Sequence, residues 1–204
     1  MEIKRINTYD DSRFSETVLK QHGCFTADDK PYEVETISDF EAIVRGENKT
    51  IYRDVIEEFR FYTPHITRFY DENMHIAAEY PAAHVVTVSL DKIRPSQFYV
   101  DEEKIAAVST FIHKPDDIII QAIPYGDGYI SIDGHTRLYY AVMNGWTHVR
   151  AVTMPADENK YMLMFAAEAK KRGIHTPRDM ALVGHAEYEE KWNRFCDDFF
   201  ANIE

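Results

Sequence analysis

Apolar positions recur along the chain at two different periods, and the alternation between them outlines its elements. Phe14, Val18 and Leu19 fall at helical spacing between about residues 12 and 22, with Gly23 placed to end the helix in a left-handed turn. Residues 32–37 and 40–45 are short β-prone runs flanking Ser38-Asp39, which predicts a hairpin ended by Gly46. Ile51, Val55, Ile56 and Phe59 share one face of a predicted helix over 50–59. Strand and helix patterns then alternate: strand 84–90, helix 101–112, strand 118–123, strand 129–133, helix 136–144 and strand 148–154. The run Ile118-Ile119-Ile120-Gln121-Ala122-Ile123 is too continuously apolar for an edge strand. The turn Tyr125-Gly126-Asp127-Gly128 supplies glycines that tolerate positive φ.

Helical periodicity dominates the C-terminal part, with helices expected at 157–172, stopped by Gly173, at 177–183 and at 186–200. In the last of these, Tyr188, Trp192, Phe195, Phe199 and Phe200 form an amphipathic stripe. Docking of that stripe on the core is expected, ahead of a homodimer seam or a ligand wall. The segment 59–70 interleaves aromatics with Arg60, His65 and Arg68. It reads as a strand pair with one buried aromatic face, ahead of a base-stacking and phosphate-contacting surface.

These patterns predict an α/β (α+β) protein with a mixed sheet packed by helices. The expected organisation is an N-terminal α/β extension at 1–84, a core at 85–155 and a C-terminal helical extension at 156–204 packed on that core, as layers of one body. No repeat, low-complexity tract or Gly/Ser linker separates them.

Composition narrows the function classes. The 204 residues are 45% hydrophobic and 13% aromatic, enough for a packed core and against general disorder. Net charge is −12, which disfavours broad DNA binding. That charge is uneven: ten basic against 17 acidic residues in 1–84 give −7, six against eight in 85–155 give −2, and seven against ten in 156–204 give −3. Cys24 and Cys196 form neither a disulfide framework nor a Cys-x-x-Cys metal motif, so a reducing cytoplasm is expected. No apolar signal core opens the chain, and no stretch approaches the roughly 20 apolar residues of a membrane-spanning helix, so the expectation is a cytoplasmic protein without a membrane partner.

Candidate chemistry concentrates where the predicted strand ending at Asp133 meets the helix starting at Thr136. A helix N-terminus exposes unpaired amides and the positive end of a dipole, which suits a phosphate. Gly134 allows close approach, Thr136 can cap the helix or bond an oxygen, Arg137 can fork onto phosphate, and His135 offers a donor or a proton. The alternative is structural: Asp133 and Thr136 cap the helix while Arg137 forms a surface ion pair.

The stretch 85–153 resembles the ParB/sulfiredoxin superfamily. The resemblance covers about a third of the chain: an opening strand leading to Leu90-Asp-Lys-Ile-Arg-Pro95-Ser96, a helix at Asp101-Glu-Glu-Lys-Ile-Ala-Ala-Val, and the apolar strand before Tyr125. It closes with Ile132-Asp133-Gly134-His135-Thr136-Arg137, a helix ending Met-Asn-Gly145-Trp, and a strand over 149–153. In that superfamily, which includes sulfiredoxins, chromosome-partition nucleotide switches and free-serine kinases, the Gly-x-x-Arg turn receives nucleotide phosphates. The resemblance thus implies a ParB/sulfiredoxin-like core that binds a nucleotide through Gly134, His135, Thr136 and Arg137.

Differences within the motif separate the branches. Sulfiredoxins carry Gly-Cys-His-Arg, whereas His135 holds the cysteine position here, so their reductase chemistry looks absent. Of the helix residues that sulfiredoxins use around ATP, Lys104 is matched, with Ala107 and Phe111 at hydroxyl positions. Partition proteins add a basic helix-turn-helix, whereas residues 156–204 are acidic and show no recognition helix with clustered Arg or Lys. The Asp-Gly-His-x-Arg motif of free-serine kinases is nearest. It implies Asp133 and His135 as catalytic residues, with Asp133 helping to hold Mg²⁺ or the transferred phosphoryl group, and ATP, ADP or another nucleotide with Mg²⁺ as cofactor. Those kinases place a glutamate just after the proline preceding the first helix, but Ser96 follows Pro95 here. The nearest carboxylates, Asp101, Glu102 and Glu103, suit a helix start for capping reasons alone.

Among the other signatures, His-x-x-x-His and His-Glu-x-x-His zinc spacings, the Walker loop, the Gly-x-Gly-x-x-Gly fingerprint and the Gly-x-Ser-x-Gly elbow are missing. The leading expectation is a nucleotide- or phosphate-binding protein, extending to phosphotransfer onto a small hydroxylated metabolite. The alternatives are a non-catalytic nucleotide-responsive interaction module and a ParB-like DNA-binding or nuclease protein.

Overall fold

The two hydrophobic periods resolve into two separate helix-backed sheets in a computed structural model, which describes residues 2–202. The fold class is α+β. The chain divides into one unit ending at His84 and another beginning at Val85, where the resemblance begins. Residues from 156 onward do not separate from the second unit.

The first unit contains β1 (Ile3–Arg5), α1 (Glu16–Lys20), β2 (Cys24–Ala27), β3 (Lys30–Thr36), β4 (Glu41–Gly46), α2 (Tyr52–Tyr62), β5 (Arg68–Tyr70) and β6 (Ile76–Glu79). Its six-stranded sheet runs in sequence order β1 to β6. The expected hairpin is β3–β4, pairing Val34 with Val44. Tyr52, Val55, Ile56 and Phe59 bury one stripe of α2, with Val55, Ile56 and Phe59 each contributing about 1.5–3 kcal/mol by transfer from water. Phe59 meets Phe25 and Phe69 edge-on.

The segment 59–70 is therefore not a strand pair. Phe59 continues the apolar face of α2 at i+7 from Tyr52, and the helix holds through Tyr62 before Thr63 Oγ1 donates to the Phe59 carbonyl at 3.0 Å. Only Arg68–Tyr70 is strand. Arg60 stacks on Tyr80, 3.5 Å from the ring centroid, and Arg68 pairs with Glu79 and Glu41. The cations of this segment are thus engaged within the unit.

The second unit contains β7 (Val85–Ser89), β8 (Ile93–Pro95), β9 (Tyr99–Asp101), α3 (Glu102–Val108), β10 (Ile119–Tyr125), β11 (Gly128–Asp133), α4 (His135–Met143), β12 (His148–Thr153), α5 (Lys160–Lys171), β13 (Ala181–Val183), α6 (His185–Tyr188) and α7 (Arg194–Ala201). The main sheet has the order β7-β12-β10-β11-β8. Its central strand is β10, whose residues 119–123 are all buried, as the unbroken apolar run requires. β10 pairs antiparallel with β11 through the expected hairpin and parallel with β12. Leu138 and Ala141 of α4 and Ile105 and Val108 of α3 pack with Ile118 and Ile120 in one core.

Two C-terminal expectations change. Residues 177–183 are not a helix. A single 3-10 turn at Pro177–Asp179 is closed by Asp179, whose Oδ2 accepts the Thr176 and His175 amides, and the chain then extends as β13 beside β9. The final helix is interrupted by a π-helical turn at Glu189–Asn193 between α6 and α7. Its aromatic stripe docks on the core as expected: Trp192, Phe195, Phe199 and Phe200 surround Phe165 of α5, and Trp192 and Phe195 also pack on Phe98.

Candidate functional site

The expected strand-to-helix junction forms, and Gly134 is its pivot. β11 ends at Asp133, Gly134 adopts φ +90°, and α4 begins at His135. A Cβ on Gly134 would lie 2.6 Å from Ile120 Cγ2, so both backbone conformation and packing require glycine. No side chain caps α4, so neither Asp133 nor Thr136 takes the capping role considered for it. The β10–β11 ladder also shifts register between Gln121 and Ala122, where Gln121 opposes Asp133, so the bulge lies where the chain leaves the sheet for this turn.

Arg137 folds back across the turn. Its Nη2 donates to Asp133 Oδ2 at 2.8 Å and its Nη1 to the Ile119 carbonyl. The guanidinium side chain retains 20% exposure and the Asp133 side chain 46%, so the pair borders solvent. Thr136 is half-buried beside it.

His135 points the other way, into the protein. Its ring is buried, and the Ser96 amide (3.3 Å), Ser96 Oγ (3.2 Å) and Ser131 Oγ (3.0 Å) converge on Nε2. A main-chain N–H can only donate, so Nε2 is the accepting nitrogen and the neutral ring carries its proton on Nδ1. Burial pushes the imidazole down to about 4, and the Arg137 charge adds to that. Asp133 and a backbone hydrogen bond with Ser131 oppose it. His135 thus ties β8 and β11 to the start of α4 and is not presented at the surface of the turn. Ser96, noted in the sequence as the residue in place of a glutamate, proves to be one of its partners.

Asp101 is equally committed. Its Oδ1 accepts the Glu103 amide at 2.9 Å as the N-cap of α3, and its Oδ2 contacts His185 Nδ1 at 2.7 Å. The carboxylate is also buried, at 1% exposure, which sets it back from an incoming hydroxyl. Lys104 sits in the first turn of α3 with Nζ 4.5 Å from the Tyr188 ring centroid. Tyr188 is buried and its hydroxyl accepts from Gln97 Nε2 at 3.3 Å. Burial raises the pKa of that hydroxyl, with smaller contributions from Cys196, Asp101 and Asp133. Gln97 and Tyr188 were not singled out as site residues by the sequence.

Among the described residues no group of three or more His, Cys, Asp or Glu could hold a metal ion. Asp133 is a lone carboxylate already paired with Arg137, so these residues do not fit a protein-held metal. Cys24 and Cys196 are both free thiols, with burial pushing them up to about 12 and about 11. No helix among the described residues is long and apolar enough to cross a membrane. A pocket of about 340 Å³ lies in the first unit beside Phe40, Thr67 and Arg68.

No family model matches the chain, and no curated protein matches it. Among solved structures, it is similar to protein Atu1540 from Agrobacterium tumefaciens at 16% identity and a TM-score of 0.35, over 48% of this chain and 61% of that one. It is also similar to a conserved hypothetical protein from Pyrococcus furiosus at 25% identity and a TM-score of 0.27, over 36% of this chain and 33% of that one. The chain thus spans less than two thirds of either structure's length, and at these TM-scores neither likeness bears on function.

Proposed function

We propose that the second unit belongs with the ParB/sulfiredoxin-like proteins and binds the phosphate groups of a nucleotide, ATP or ADP with Mg²⁺ foremost, at the start of α4. The observation that carries the reading is the uncapped first turn of α4 behind left-handed Gly134, with the Arg137 guanidinium alongside. Amides at a helix start and a guanidinium fork are complementary to phosphate oxygens. An arriving phosphate competes with Asp133 for Arg137, and Thr136 supplies a hydroxyl at the same turn. His135 acts here by position, holding the turn from inside. Mg²⁺ arrives with the nucleotide. Two unpaired thiols fit a cytoplasmic protein.

Binding without chemistry is favoured over phosphotransfer by one observation. Of the candidate bases, Asp101 and His135 are buried and Asp133 is ion-paired with Arg137. Transfer to a small hydroxylated acceptor needs a base that these residues do not supply. The test is a thermal-shift panel with ADP, ATP, CTP and GTP, with and without Mg²⁺. Saturation at roughly 100 times Kd stabilises the fold by about 2.7 kcal/mol. A shift with at least one nucleotide and no nucleotide turnover with hydroxylated acceptors supports a nucleotide-responsive module. Turnover establishes the phosphotransferase, and no shift with any nucleotide overturns the reading.

A further inference from the structure

A second cluster of ionisable groups lies where the C-terminal segment crosses the start of α3. β13 pairs in parallel with β9, setting Val183 opposite Asp101, and the Ala181 amide donates to the Phe98 carbonyl at 2.9 Å. Two residues after Val183, His185 opens α6 and reaches the Asp101 carboxylate, which is 1% exposed. The imidazole itself is 48% exposed. Its Nδ1 also lies 3.9 Å from Glu103 and its Nε2 3.6 Å from Glu189. One turn later the buried Tyr188 ring takes the Lys104 ammonium, with Nζ 4.5 Å from its centroid. Eight residues thus carry a histidine set among carboxylates and a buried tyrosine whose ring holds a lysine ammonium.

We propose that residues 181–188 are a strap, latched by the His185–Asp101 contact, that holds Lys104 against the Tyr188 ring and withholds its ammonium from a phosphate-bearing ligand. The identity of the ligand rests on the function proposed above; the latch does not. The groups facing His185 are Asp101 and Glu103 from the start of α3 and Glu189 from the turn after α6. Glu102 stands against the Gly184 backbone, where a Cβ would lie 3.4 Å from its Oε1. With His185 protonated, one cation ties the strap to these carboxylates. With His185 neutral, the buried Asp101 charge keeps only a neutral hydrogen bond, and the surrounding carboxylates repel.

The sign of the pH dependence follows. Asp101 is the main cause that raises the pKa of His185, with Glu103 and Glu189 adding and desolvation opposing. A raised histidine pKa stabilises the closed strap fully below the unfolded value of about 6.5, and that stabilisation is lost as pH rises through the folded value. The strap holds in acid and loosens in alkali.

Amide hydrogen exchange on the intact chain, read from about pH 5.5 to about 8.5 across the histidine range, tests the latch when combined with calorimetric titration of ADP on the same samples. Protection of the Ala181 amide, taken relative to β10 and β12 amides, is expected to fall with pH. The fall is about tenfold for each unit separating the folded and unfolded pKa of His185. His185→Gln is expected to abolish the step, and His185→Arg to keep protection high in alkali. ADP affinity is expected to rise as protection falls. The same pH course in His185→Gln as in the natural protein overturns the latch, whatever ADP does. Equal ADP affinity with the strap closed and open overturns the withholding of Lys104. A pH step in protection with no ADP binding at any pH supports the latch and counts against the nucleotide reading alone.

Discussion

Arg137 Nη2 lies 2.8 Å from Asp133 Oδ2, bridging the ends of the turn that Gly134 makes between β11 and α4. The ion pair occupies the edge of the guanidinium that a phosphate would take. Removing the carboxylate charge therefore releases the Nη2 side of Arg137 while Nη1 stays on the Ile119 carbonyl. Asp133→Asn is expected to tighten ADP binding several-fold in calorimetric titration, and a weakening would instead assign Asp133 to ligand or metal contact.

Gly134 is held by two independent constraints, a φ of +90° and contact with Ile120. Gly134→Ala is expected to destabilise the fold by about 2–4 kcal/mol, combining left-handed strain with overpacking. Urea unfolding reads the change as a lower midpoint. A cost under about 0.5 kcal/mol, the range of ordinary surface changes, would show that the turn relaxes freely.

His135 makes stability depend on pH in the opposite sense to His185. Its folded value, about 4, lies below the unfolded value of about 6.5. Above the unfolded value both states are neutral and stability is full. As pH falls from there toward 4 the unfolded state takes up a proton that the folded state refuses, so stability drops, by about 3 kcal/mol in total. Denaturant titrations at successive pH values measure this. In His135→Gln that component is expected to vanish, together with a loss at neutral pH from the serine partners left unsatisfied.

Phe165 is the buried centre around which Trp192, Phe195, Phe199 and Phe200 assemble. Phe165→Ala is expected to cost about 3–5 kcal/mol and to loosen α7 first. Circular dichroism should lose helix before hydrogen exchange in β10 accelerates. Simultaneous loss would mean that α7 unfolds only with the whole unit.

The sequence made local features legible and left the distant pairings hidden. The period of Ile51, Val55, Ile56 and Phe59 marks a helix because neighbours one turn apart must share its buried face, although Ile51 lies in the 3-10 turn before α2 and Tyr52 opens the buried stripe. The turn at Gly134 is readable because strand, glycine and helix are contiguous. Asp101 was recognisable as a capping carboxylate, but its partner His185 lies 84 positions away and is brought in by β13, a strand of three residues with no alternation to announce it. Ser96 meets His135 across 39 positions because β8 runs parallel to β11, pairing Pro95 with Ser131. Short strands such as β1, β8 and β9 are supported by their neighbours more than by their own residues, which is why their spans carried no signal.

The central claim, that the start of α4 takes the phosphates of a nucleotide, is tested most directly by calorimetric titration of ADP with Mg²⁺. The comparison sets the natural protein beside Arg137→Ala, Arg137→Lys and the first-unit control Arg53→Ala, with each fold checked by circular dichroism. The account predicts binding by the natural protein and by Arg53→Ala, weaker binding in Arg137→Lys and a loss of at least tenfold in Arg137→Ala, about 1.4 kcal/mol. Undiminished ADP affinity in a folded Arg137→Ala protein, or no binding to the natural one, would contradict it.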